Sequence, residues 1–292
     1  MRRKQMKKQR NIVIASLFSL LLLFTVGYAA FSTTLNIGAK GNIVEKSYAE
    51  IGGQDLEVVT TGDGLYADSY EEGRYIYKGA NPNNYITFSG ETWRIISVEN
   101  DGSIKIMRSE SIGNRAWDSS NSNNWVRPAD LNTYLNEEYL PTLSDSDKVV
   151  SHNFSIGAVT YYNNDLADQI NDENGTTWNG EVGLITASEY LRANTNTAQC
   201  ETLSLNNSNS ETCLTTNWMY NSVPSGGFMW IISPNAGYSS NVFTVSGRSG
   251  NAGYVYGSSA SYSSGGVVPV LYLSSDITLS GTGTSEDPYV IS

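Results

Sequence analysis

The chain has 292 residues, 18 Lys+Arg against 29 Asp+Glu, a single histidine and two cysteines. Residues 1–30 hold six of the basic residues and none of the acids, so the remaining 262 residues carry twelve basic and 29 acidic side chains, a net of −17. That charge would be repelled by nucleic acid and by anionic lipid, which excludes both as partners of the body.

In chain order, residues 1–30 read as an export segment. Arg2, Arg3, Lys4, Lys7, Lys8 and Arg10 precede an apolar run over 11–26, and Gly27-Tyr28-Ala29-Ala30 closes it with small residues. The run is as long as a bilayer-spanning helix requires. A cleaved signal peptide and an uncleaved N-terminal anchor both fit. Either one sends the rest of the chain outward, to the cell surface or the extracellular space, and membrane contact is expected only through residues 11–30. Residues 31–62 read as a strand and a tether. The cluster Thr60-Thr61-Gly62-Asp63-Gly64 marks the start of one domain over 63–292.

Within that domain the pattern predicts many short strands: Arg74–Lys78, Tyr85–Phe88, Thr92–Val98 and Ser103–Arg108. Asp101-Gly102 between two β-branched runs predicts a hairpin. Ile104 and Ile106 alternate with Lys105 and Met107, which predicts one buried face. Pro128 opens a helix with Leu131, Tyr134 and Leu135 on one stripe. Ser144–Val150 reads as a second short helical turn, and 163–181 as an acidic, Asn-rich loop. Glu181–Ile185 is a buried strand candidate, and Thr186-Ala187-Ser188-Glu189 is a capping box that starts another helix. Phe228–Ile232, Val242–Val245, Val267–Leu273 and Tyr289–Ile291 complete the strands. The class is α+β and β-rich: a twisted antiparallel sheet with two short helices and long polar loops.

Three groups of residues carry possible chemistry. Trp117 and Trp125 flank Asp118, Asn121 and Asn124, and aromatic faces with amide and carboxylate edges suit sugar binding. Asp165, Asp168, Asp172, Asn174 and Glu181 are hard oxygen donors of the kind calcium takes, although Ile170 at the first ligand place breaks the EF-hand pattern. Cys200 and Cys213 form a disulfide candidate in an oxidising exterior. His152 stands alone, with none of the nucleophile, phosphate-loop or zinc-protease motifs elsewhere in the chain.

The stretch Val26-Gly27-Tyr28-Ala29-Ala30-Phe31-Ser32-Thr33-Thr34-Leu35 resembles the N-terminus of exported Gram-positive surface and matrix-fibre proteins of the camelysin type. The body resembles a group of gut-Firmicute exported surface proteins. The stretches that carry this are Glu71–Tyr77 with Trp93–Ile96, Trp117-Asp118 to Leu135-Asn136, Gly183–Tyr190, Val267–Leu273 and Gly281–Tyr289. That group has no established activity, so it implies no site residues. The order of elements also resembles the C-type-lectin-like fold, which implies sugar-binding, adhesive or sulfatase-activating roles. Asn81-Pro82-Asn83 and Trp178-Asn179-Gly180 depart from that fold's calcium-dependent sugar motif.

The expectation is therefore a non-catalytic surface protein that binds or adheres to a polysaccharide or protein ligand. A carboxylate-based glycan hydrolase, a sulfatase-activator-like oxidase and a structural subunit of a surface fibre are the alternatives.

Overall fold

The computed structural model describes residues 47–161, 165–201 and 211–292. Residues 1–30 and 31–46, where the export segment and the start of the tether were expected, lie outside the described residues. Among the described residues, no helix is long and apolar enough to cross a membrane.

A twelve-stranded mixed sheet dominates the fold. It begins with β1 (Ser47–Ile51) and β2 (Gln54–Val58), an antiparallel hairpin with Ala49 and Ile51 buried. Leu279 N–H donates to Gly52 O, which ties this hairpin to the chain's end. Residues 46–292 form one compact unit, so the segment after Lys46 belongs to the domain instead of acting as a tether. The turn at 60–64 is present, with the Asp63 carboxylate accepting from Ala80 and Asn81 N–H groups.

β3 (Gly64–Ala67) pairs with β4 (Tyr75–Lys78). β5 (Tyr85–Phe88) and β4 then share one edge of the long strand β6 (Glu91–Val98). β7 (Ile104–Arg108) takes its other edge. The expected Asp101-Gly102 hairpin joins β6 to β7: Gly102 sits at φ 84° and donates to Glu99 O at 3.0 Å, a geometry that glycine adopts without strain. β8 (Asn114–Arg115) belongs to a second sheet. β9 (Val149–Val150), β12 (Val182–Gly183) and β7 all pair with β17 (Val270–Leu273). β18 (Leu279–Ser280) and β19 (Tyr289–Ile291) close the large sheet against β5.

The second sheet holds five strands, in the order β15 (Val255–Ser259), β14 (Asn241–Ser246), β13 (Phe228–Pro234), β16 (Gly265–Gly266) and β8. A separate ribbon pairs β10 (His152–Ser155) with β11 (Thr177–Gly180). Trp93, Ile95, Ile106, Trp230, Phe243 and Leu271 are fully buried members of one continuous core.

The helices are short. α1 (Asp130–Thr133) continues as a π-turn over Tyr134–Tyr139, with Leu131 and Leu135 inward as the stripe requires. Ser144–Val150 is not one helical turn: Ser146–Lys148 forms a 3₁₀ turn without a side-chain cap, and Val149–Val150 joins the sheet. The expected acidic loop holds a helix, α2 (Leu166–Asn174), capped by the Asp165 side chain on Ala167 N–H at 2.8 Å. α3 (Ala187–Arg192) starts with the expected capping box, and α4 (Glu211–Thr215) carries Cys213.

Candidate functional site

One row of residues crosses the middle of the large sheet. Ser97 on β6 faces Lys105 on β7, and Lys105 faces Tyr272 on β17. Lys105 is only 3 % exposed. β7 is therefore covered on both faces, and the expected single buried face is corrected: a charged side chain lies where one open to water was anticipated. Such a charge requires a partner. It finds one on α3, where Glu189 Oε1 accepts from Lys105 Nζ.

Glu189 holds this place because of its position in the capping box. Its Oε2 accepts from Thr186 N–H at 2.9 Å, and its own N–H donates to Thr186 Oγ1 at 3.2 Å. The same carboxylate takes an ion pair from Arg74, 3.4 Å away. Arg74 is itself a hub: Nε donates to Glu99 Oε2 at 2.9 Å, Nη1 to Asp68 Oδ2 at 2.9 Å, and Nη2 to Ser97 Oγ at 3.1 Å. Arg192, one turn along α3, closes the network with a second ion pair to Asp68.

Burial works against every charge here, and the partners decide the outcome. Burial would raise Glu189, but Lys105 and Arg74 hold its carboxyl below the usual range. Burial likewise opposes ionised Asp68, and Arg192 and Arg74 prevail. Lys105 is desolvated too, yet Glu189 keeps its ammonium above the ordinary lysine value. Glu173 on α2 goes the other way. Burial raises its carboxyl above the ordinary value, against the Ser188 hydroxyl and Ser188 N–H that donate to it. Ser233 Oγ donates to it as well, at 3.1 Å.

These groups surround a cavity of about 370 Å³. Its floor is Arg74, Lys105, Glu99 and Glu189. Its walls carry Ser155, Thr186, Ser188, Asn153, Asn174 and Thr177. Tyr70, 41 % exposed, His152 and Glu71 also line it, with Glu173 and Arg192. The His152 ring stacks on Tyr272, with centroids 3.9 Å apart and planes 17° apart, and its Nε2 lies 3.5 Å from Asp101 Oδ2. This volume falls in the range of small-ligand pockets, about 300–1,000 Å³.

Most of the residues singled out from sequence lie elsewhere; of them His152 and Asn174 line this cavity. Trp117, Asp118, Asn121, Asn124 and Trp125 do come together, with the indole centroids 5.2 Å apart. The rings are 0 % and 1 % exposed, so neither offers a free face for stacking a sugar. Asp118 and Asn124 close local turns, and Asn121 ties the loop to β15. Asp118 accepts from Ser120 N–H, Asn121 Oδ1 from Ser259 Oγ, and Asn124 Oδ1 from Val126 N–H.

The proposed calcium donors do not converge. Asp165 caps α2, Asp168 and Asp172 sit on its exposed side, Asn174 accepts from Ser155 Oγ, and Glu181 follows β11. Among the described residues there is no group of three or more His, Cys, Asp or Glu side chains arranged to hold a metal ion. Of these, only Asn174 lines the cavity. Cys200 and Cys213 are bonded, with their Cα atoms 5.5 Å apart.

Sequence reasoning missed Arg74, Glu99, Lys105 and Arg192, and read Glu189 only as a cap. One signal was available. Lys105 interrupts Ile104, Ile106 and Met107, and a lysine inside such an apolar strand calls for a carboxylate opposite it. No family model, curated protein or solved structure matches this chain.

Proposed function

We propose that this is an exported surface-binding protein, and that the polar cavity above β6, β7 and β17 receives one sugar-sized, hydroxyl-rich group of a glycan. The observation that carries the reading is the lining itself: fixed carboxylates, a guanidinium, amides and hydroxyls around about 370 Å³, with an aromatic side chain at the exposed rim. Planar polar groups held rigidly by their neighbours present paired donors and acceptors to vicinal hydroxyls, with little ordering left to do on binding. The leader over 1–30 and the Cys200–Cys213 disulfide support a location outside the cytosol.

Binding is favoured over carboxylate-based hydrolysis because the three buried acids of the lining, Glu99, Glu173 and Glu189, are engaged already, Glu99 by Arg74 and Ser97. Both Glu189 oxygens accept from Lys105 or Thr186, and both Glu173 oxygens accept from Ser188 or Ser233. A hydrolase needs one carboxyl free to deliver its proton to a leaving oxygen.

The test is a glycan-array screen of residues 31–292, followed by calorimetry on the hits. The double variant Asn153→Ala/Thr177→Ala alters two exposed wall residues and leaves the ion-pair network alone. It should keep its melting temperature and lose affinity. Full affinity in that variant for every glycan that binds would refute the placement.

A further inference from the structure

A second cavity, of about 470 Å³, opens at the other end of β6 and β7. Arg94 lines it, and its setting is unusual. The side chain is 4 % exposed, yet its partners are all neutral: Nε donates to Asn84 Oδ1 at 2.5 Å, and Nη2 to Pro82 O at 3.1 Å and Asn81 Oδ1 at 3.4 Å. The guanidinium lies 3.7 Å from the Tyr85 ring centroid and 5.0 Å from that of Trp218. Among the described residues no carboxylate forms an ion pair with it, and no protein acceptor meets its Nη1. The contrast with its neighbour Arg108 is direct: Glu91 clasps Arg108 at 2.8 and 3.0 Å.

A buried hydroxyl without a partner lies at the same cavity. Ser109 Oγ makes no hydrogen bond, and Ser109 lines the cavity beside Arg94. The register explains their proximity. Tyr85 is directly opposite Arg94 on β5, Thr92 lies two residues along on the same face, and Ser109 N–H donates to Thr92 O at 3.0 Å.

From this geometry we infer that the cavity is an anion subsite, in which Arg94 Nη1 and the Ser109 hydroxyl receive a carboxylate or sulfate group of a small ligand. A buried guanidinium without a counter-charge is costly, and an oxyanion supplies the missing charge and acceptors together. Burial pulls the Arg94 guanidinium down to about 10, with only the Tyr85 oxygen opposing that shift, so it stays charged at neutral pH. The stacked rings fix its plane before the ligand arrives. This cavity is separate from the one described above, so the inference stands whether or not that one binds a glycan.

The experiment follows the Ser109 backbone N–H signal of the full chain by NMR, present in every variant, together with the Arg94 Nε–H where arginine is retained. Acetate, glucuronate and methyl sulfate are titrated in turn at constant ionic strength. A saturable shift is expected, and its affinity should fall at least about three-fold in Ser109→Ala and about ten-fold or more in Arg94→Gln. Glucuronate and methyl sulfate distinguish a carboxylated from a sulfated source, and a saturable response to either supports the subsite. If Arg94→Gln fails to fold, the Ser109→Ala titration decides alone. No saturable shift with any of the three anions, or an affinity unchanged by Ser109→Ala, overturns the inference.

Discussion

Glu189→Gln isolates the charge that holds the central network together. Glutamine keeps the length of the side chain and still serves the third position of a capping box, so α3 retains its start. What disappears is the negative charge between Lys105 Nζ and Arg74. Arg74 keeps Asp68 and Glu99, but the described ion pairs leave Lys105 no other carboxylate partner. Lys105 then sits 3 % exposed against the Phe154 and Tyr272 rings with no carboxylate in ion-pair contact, Glu99 attracting and Arg74 repelling it from farther off. Removing one partner of a buried pair costs about 3–5 kcal/mol, and the retained Arg74 contacts place this case near the lower end, at about 3 kcal/mol. The assay is urea unfolding, followed by tryptophan fluorescence and read as a shift in midpoint at unchanged slope. The double variant Glu189→Gln/Lys105→Met removes both charges and should recover more than half of that loss. A single-variant cost below about 1 kcal/mol, or a double variant as unstable as the sum of its parts, would refute the claim that the pair is mutually dependent.

Three other outcomes follow from the same structure. Glu189 and Asp68 titrate below their ordinary values in the fold, so they contribute stability above the unfolded carboxylate range near 4; it is lost as pH falls through their lower folded values. Lys105 contributes stability that is complete below its unfolded value of 10.5 and lost as pH rises through the higher folded one, so urea midpoints should plateau across neutral pH. A midpoint maximum confined to pH 4 or below would contradict this. Trp117→Ala and Trp125→Ala should each cost about 3–5 kcal/mol, as deletions from a packed core do; unaltered stability with lost glycan binding would instead make that loop the ligand site. Replacing both Cys200 and Cys213 by serine releases a loop closed across 13 residues and should cost about 3 kcal/mol, checked by calorimetric melting against the oxidised protein.

Much of the strand pattern was legible because it rests on local rules. Tyr85–Phe88 and Tyr289–Ile291 form strands with the bounds their alternation suggests, and the Asp101-Gly102 turn and the Thr186–Glu189 box do what their chemistry requires. The misses come from polar residues placed where apolar ones mark a pattern. α2 buries Leu166, Gln169 and Glu173, which are spaced for one helix face, but two of the three are polar and the stripe vanishes from a hydrophobic reading. Val267–Leu273 is shorter as a ladder strand than its apolar run, because pairing starts only at Val270 and Pro269 contributes its carbonyl to Arg108 N–H instead.

The candidate sites were hidden for a related reason. Arg74, Glu99, Lys105 and Glu189 are scattered over 115 residues, and it is strand order that collects them: β6 and β7 are neighbours in sequence, β17 arrives from near the end, and α3 lowers a carboxylate onto the row. Sequence shows only that a lysine interrupts an apolar strand. The choice between a stabilising ion pair and a ligand cavity depends on how completely the partners enclose it. Here the enclosure is incomplete on the side of Tyr70 and His152, and it is complete around Trp117 and Trp125. Two aromatic residues flanking polar ones signal either a core corner or a binding face, and burial decides between them. In this chain the tryptophans hold the core, and the polar groups suited to a ligand gather over the charged centre of the sheet.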